Sequence, residues 1–117
     1  MSRIRLALVA AVAVAALLAA QAQAAAPKLV GTVGPGFTIT LTKGGKKVTR
    51  LMHGSYIIAV NDKSPIHNFH LIGPGVNKTT SVSGSGKTAW KVTLRKGTYR
   101  FICDPHASAM KGSFKVT

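Results

Sequence analysis

The sequence predicts an all-β domain, and three observations carry that expectation. After residue 24 no stretch repeats its apolar residues at helical spacing. Short alternating or β-branched runs recur at intervals of roughly 8–12 residues. Glycine and proline stand between them.

The runs can be taken in order. Lys28–Val33 and Phe37–Thr42 are rich in valine, isoleucine and threonine, and Lys43-Gly44-Gly45-Lys46 is a hairpin turn signal. Lys47–Leu51 alternates, and Tyr56–Asn61 is apolar almost throughout. Ile66–Ile72, Thr79–Val82, Thr88–Leu94, Thr98–Cys103 and Ser113–Thr117 complete the expected strands. Trp90, Tyr99 and Phe101 read as core packing. Many short, evenly spaced strands suggest a sandwich or barrel. Ser83-Gly84-Ser85-Gly86-Lys87-Thr88 ends like a phosphate-binding loop, but Ser81 stands where that motif needs its first glycine, and the flanks are strands. It reads as a turn.

Residues 1–24 read as a secretory signal peptide. Arg3 and Arg5 supply a positive start, Leu6 to Ala20 is an unbroken apolar run, and Ala22-Gln23-Ala24 is a small-x-small cleavage site. The apolar run is shorter than the roughly 20 residues a membrane span needs. An uncleaved N-terminal tether is the alternative. Residues 25–117 are then one domain, exported to the periplasm or the cell exterior. A domain of this size buries only about 60–65% of its unfolded surface and usually needs a staple. One cysteine cannot make an internal disulfide, so a bound metal is the remaining common staple.

Sixteen basic residues stand against two acids, Asp62 and Asp104, and there is no glutamate. That excludes paired-carboxylate hydrolysis and a glutamate base beside a hydrolytic metal. The positive field favours an acidic partner protein or an anionic membrane surface. Nucleic acid is not expected, since an exported protein rarely meets it. A small-molecule substrate is not expected either, and the chain reads as a monomer and not an enzyme.

The chemistry concentrates in one stretch. Cys103 is followed by His106 and Met110, and His67 and His70 lie upstream. Thiolate, imidazole and thioether are soft ligands, which select copper over magnesium, calcium or manganese. Two histidines and a cysteine with a weak axial methionine form the ligand set of a blue-copper site. Pro105 stiffens the turn between Cys103 and His106. Strand alternation would put His67 on one face with Phe69 and Leu71, and Asn68 and His70 on the other, which favours His67 as the ligand. His53 reads as an ordinary loop histidine. Gly73-Pro74-Gly75 has two equal readings: lining the ligand-bearing end with Pro65, Pro105 and Ala107, or a plain loop turn.

Gly97-Thr-Tyr-Arg-Phe-Ile-Cys-Asp-Pro-His106, Met110-Lys-Gly-Ser-Phe114 and His67-Asn68 together resemble the cupredoxin family, its plastocyanin and amicyanin branch above all. The gap between His106 and Met110 resembles azurin-type spacing. The resemblance runs from about Leu51 to Thr117. It implies a single Greek-key β-sandwich and electron transfer at one type 1 copper ion. It maps the ligands onto His67, Cys103, His106 and Met110, and a loop-bracing role onto Asn68. Three rival readings stand beside the carrier. Copper capture or delivery would use the same residues. A multi-copper redox enzyme would need more ligands than four histidines supply. A metal-free β-domain would tolerate Cys103→Ser.

Overall fold

The computed structural model describes residues 25–117, so the signal-peptide reading falls outside the described residues. Ten strands form: β1 (Lys28–Val33), β2 (Ile39–Lys43), β3 (Lys46–Lys47), β4 (Arg50–Leu51), β5 (Gly54–Asp62), β6 (His70–Gly73), β7 (Val76–Thr79), β8 (Gly86–Leu94), β9 (Gly97–Ile102) and β10 (Lys111–Val116). The one helical element among the described residues is a 3-10 turn, Asp104–His106.

Two five-stranded sheets face each other, in the orders β3-β2-β1-β5-β8 and β4-β10-β9-β6-β7. The chain passes between them repeatedly: β5 to β6, β7 to β8, β8 to β9. This is the expected all-β Greek-key sandwich. Two pairings are parallel, β1 with β5 and β10 with β4; the other pairs are antiparallel.

The expected strand Lys47–Leu51 is in fact two. Val48 and Thr49 carry the chain across the sandwich, Val48 N–H donating to Leu41 and the Thr49 carbonyl accepting from Lys115. Alternation cannot reveal that switch, because both halves keep their apolar side chains inward, with Val48 and Leu51 both buried. The Lys43–Lys46 turn forms as expected, with both glycines at the positive φ that a tight hairpin requires. The Ser83–Thr88 decoy bends at Ser83 and runs straight into β8 from Gly86, with no helix following.

The core is an aromatic ladder filled in by aliphatics. Phe69 stacks on Phe101 at 5.7 Å, and Tyr99 on Phe114 at 5.4 Å. Leu29, Ile58, Val60, Leu71 and Leu94 close around them, all essentially inaccessible. Tyr99 lies directly over Gly73, where any side chain would collide with its ring. Its hydroxyl accepts from the Arg95 N–H at 2.9 Å and donates to the Pro74 carbonyl at 2.7 Å. The Gly73-Pro74-Gly75 turn is therefore at the far end of the sandwich, beside Gly97 and Arg95, and not at the ligand-bearing end. The reason is β6, which begins near Ile102 and carries the chain the length of the sheet before turning.

Candidate metal centre

Three loops meet at one end of the sandwich: β1–β2, β5–β6 and β9–β10. The β5–β6 loop carries His67. It is not strand at that point, since β6 begins only at His70. His67, Phe69 and Leu71 are all fully buried as alternation required, but Asn68 is buried too because the segment has left the pleat.

The β9–β10 loop carries the other residues. His106 N–H donates to the Cys103 carbonyl, Met110 N–H to the His106 carbonyl, and Cys103 N–H to the Met110 carbonyl. The loop thus closes on itself and returns Met110, its side chain buried, beside Cys103. Pro105 sits inside the 3-10 turn where its missing N–H costs nothing.

His67, Cys103 and His106 converge. The two Nδ1 atoms are 3.1 Å apart, and the Cys103 Sγ lies 3.7 Å from one and 3.6 Å from the other. A triangle with those edges has a centre about 2.0 Å from every corner, close to the ~2.0 Å of a metal–imidazole bond and ~2.3 Å of a metal–thiolate bond. Cys103 and His67 are wholly buried and His106 is half-buried. His67 Nε2 has no hydrogen-bond partner among the described residues. A metal on Nδ1 would make Nε2 an N–H donor, so the fit rests on the three converging donor atoms. The donor set and its spacing fit a soft ion such as copper.

A polar brace holds the two loops together. Asn68 Oδ1 accepts from the Asp104 N–H at 2.7 Å, while Nδ2 donates to Asp104 Oδ2 at 2.7 Å and Thr79 Oγ1 at 3.0 Å. This joins the neighbour of His67 to the neighbour of Cys103. Replacing Asn68 by alanine strips the part-buried Asp104 N–H of its acceptor. We expect a stability loss of about 2–3 kcal/mol and a 10–100-fold weaker hold on copper. Denaturant titration and competition with a chelator would measure the two effects.

The same carboxylate engages His70. His70 Nδ1 lies 2.9 Å from Asp104 Oδ1, and Nε2 lies 2.6 Å from Asn77 Oδ1. Both ring nitrogens face acceptors, an arrangement only the imidazolium satisfies. Burial alone would lower the His70 pKa, but the bonds to Asp104 and Asn77 and the carboxylate charge outweigh it and raise it above 6.5. Burial likewise works to raise the Asp104 pKa, and the bonds from His70 and Asn68 with the imidazolium charge bring it below 3.8. The His70 contribution is therefore complete below pH 6.5 and lost as pH rises through the raised value. The Asp104 contribution is complete above pH 3.8 and lost as pH falls through the lowered value. Comparing copper-free wild type with His70→Gln by thermal unfolding should show the largest difference between pH 3.8 and 6.5. It will be modest, because Asp104 is nearly half exposed and solvent screens the pair.

His67 and not His70 is thus the residue brought to Cys103 and His106. His53 is elsewhere, its Nδ1 3.0 Å from the Thr117 carbonyl. Sequence reasoning missed Phe37, whose ring stands edge-on to His67 at 5.1 Å and His106 at 5.0 Å while 65% exposed. A phenylalanine in a glycine–proline loop gives no sign of that role. The Asp104–His70 link was equally hidden, since an aspartate before proline reads as a turn residue.

Residues 37–117 match the family of copper binding proteins described as plastocyanin/azurin. No curated protein matches by overall sequence. Among solved structures, reduced rusticyanin is similar at a TM-score of 0.55 and 21% identity, over 77% of this chain and 78% of that one. Dithionite-reduced auracyanin from the photosynthetic bacterium Roseiflexus castenholzii is similar at 0.54 and 18%, over 80% and 99%. A chain in a heme-copper terminal oxidase dimer is similar at 0.54 and 15%, over 99% and 97%. At these identities the structural likeness is one of fold.

Proposed function

Because the chain belongs to the plastocyanin/azurin family of copper-binding proteins, we propose that it is a one-electron carrier, exported to the periplasm or the cell exterior, with His67, Cys103, His106 and Met110 as ligands. Its cofactor is a single copper ion, a type 1 centre by donor set. Bound copper supplies a reversible Cu(I)/Cu(II) couple, and the residues around it keep that change from moving the protein. The observation that carries the reading is the buried triangle of donors held from both sides. Cys103 is fixed by the closed β9–β10 loop, and His67 by the Asn68–Asp104 brace.

Electrons need a route to the surface, and His106 provides the shortest, being the half-buried ligand. The exposed Phe37 and Ile66, with Pro105 and Ala107, form an apolar rim at that end. A redox partner can seat there without stripping water from charges. The exposed Lys63, Lys87 and Lys111 near that end would steer an acidic partner toward encounter there. A carrier role, not an enzymatic one, is supported by the histidine count. His53 and His70 are committed elsewhere, leaving ligands for one metal among the described residues.

Copper delivery is the rival function, and it would favour surface ligands that pass the ion on. Met52 and His53 are exposed but sit at the opposite end of the sandwich, beyond Leu51 and Gly54. Copper(II) titration with visible absorption and electron paramagnetic resonance tests the site. An intense blue band with small hyperfine splitting is expected. Electron self-exchange and copper loss to a chelator then separate the functions: fast exchange with slow loss supports a carrier, and the reverse supports delivery.

A further inference from the structure

The charges are sorted along the sandwich. Strand register places Arg50 and Lys115 at the end opposite the metal centre, where Arg95 and Lys96 form the turn between β8 and β9, while Lys28, Lys43 and Lys46 lie near the middle of β5, Lys43 and Lys46 on the groove that runs from there to Arg50. All are exposed and no acid lies among them. Both acids lie at the metal end, Asp62 closing β5 and Asp104 following Cys103, together with Lys63, Lys78, Lys87 and Lys111. The nine residues of β5 span roughly 25–30 Å between the ends. Screening at physiological salt acts over about 8–10 Å, so each end presents its own charge to the surroundings.

The basic end also holds a groove of about 620 Å³. Lys43, Lys46, Lys47 and Arg50 line it, and Met52, 74% exposed, stands among them. A ring of cations around a bare apolar side chain is the chemistry of a bilayer interface: ammonium and guanidinium groups meet lipid phosphates while the thioether enters the acyl boundary. The chain joins the domain on this face, at Pro27, whose carbonyl accepts from Ile57. Any N-terminal segment held in a bilayer would bring the same face to that membrane.

We propose that this basic pole docks on an anionic phospholipid surface, leaving the metal end pointing away from the membrane. Docking needs no copper, so it stands or falls apart from the carrier reading. The arrangement leaves the apolar rim around His106 free for a partner while the protein moves in two dimensions.

Co-sedimentation of the exported protein, with and without copper, would use vesicles of phosphatidylcholine alone and mixed with phosphatidylglycerol. Binding is expected to the mixed vesicles only, and equally in both metal states. The triple charge reversal Lys43→Glu, Lys46→Glu, Arg50→Glu should weaken it roughly tenfold or more. The matched reversal Lys63→Glu, Lys87→Glu, Lys111→Glu, with the same net charge, should change it by less than about threefold. Circular dichroism checks that both sets fold, and glutamine versions of each repeat the comparison with milder changes. Equal losses from the two ends, or no preference for anionic vesicles, would overturn the proposal. So would retention on immobilised polyglutamate without vesicle binding, which would make the pole a protein-docking face.

Discussion

Cys103→Ser should abolish the blue band and the electron transfer together while leaving the β-sandwich folded. The side chain is wholly buried and nearly isosteric with serine, and the new hydroxyl faces the Nδ1 atoms of His67 and His106 as hydrogen-bond partners, so the sandwich stays folded. The metal loses its one soft anionic donor, because a serine hydroxyl does not ionise near neutral pH as a metal-facing thiol does. The copper-linked stability goes with it. Copper at a thousand times its dissociation constant stabilises the native state by about 4 kcal/mol. For a domain of this size that is a rise in melting temperature of about 15–30 °C. Differential scanning calorimetry with and without copper should show that rise in the wild type and almost none in the variant. An unchanged copper-dependent shift in Cys103→Ser would mean that copper binds somewhere else.

At the other end of the molecule, Tyr99→Ala should be the most destabilising single substitution that leaves the metal ligands alone. Removing a buried aromatic costs about 3–5 kcal/mol. The Arg95 N–H and Pro74 carbonyl also lose their partner, at about 1–3 kcal/mol for each group left dry. Native domains have only about 5–15 kcal/mol in total, so the copper-free variant should be largely unfolded. Tyr99→Phe keeps the ring on Phe114 and loses only the hydroxyl, so urea titration should place it about 1–3 kcal/mol below wild type. Its blue band should be unchanged, since the Tyr99 hydroxyl sits at the end away from Cys103. A spectral change in Tyr99→Phe would show that the two ends are coupled through the core.

These two predictions also mark what was legible in the sequence. The closeness of Cys103, His106 and Met110 was readable because a short loop keeps sequence neighbours together in space. His67 was readable for a reason that proved only half right. Its burial followed the alternation of Phe69 and Leu71, yet the segment is an irregular loop, and Asn68 is turned inward as well to grip Asp104. The strands with strong β-branched content were nearly correct in their limits, as at Lys28–Val33. The split of Lys47–Leu51 between two sheets was not visible, because inward-facing side chains look the same on either sheet. Of the two readings of Gly73-Pro74-Gly75, the plain turn holds and the ligand-end placement does not, because sequence proximity to His67 says nothing about the direction in which β6 runs. Phe37 acquires its role only through residues 30 or more positions away, and His70 its ion pair through Asp104, 34 positions away.

Every open sheet carries a hazard at its margins, where backbone donors and acceptors lack a neighbour. Here the outermost strands are β3 and β8 in one sheet and β4 and β7 in the other. Each bears exposed positive charge: Lys46 and Lys47 on β3, Lys87 and Lys91 on β8, Arg50 on β4 and Lys78 on β7. Two copies approaching margin to margin would have to bring these like charges into register before any backbone bond could form. The margins thus repel their own kind, and crowding the protein to high local concentration should give a dense population of separate molecules with no tendency to polymerise into continuous sheet.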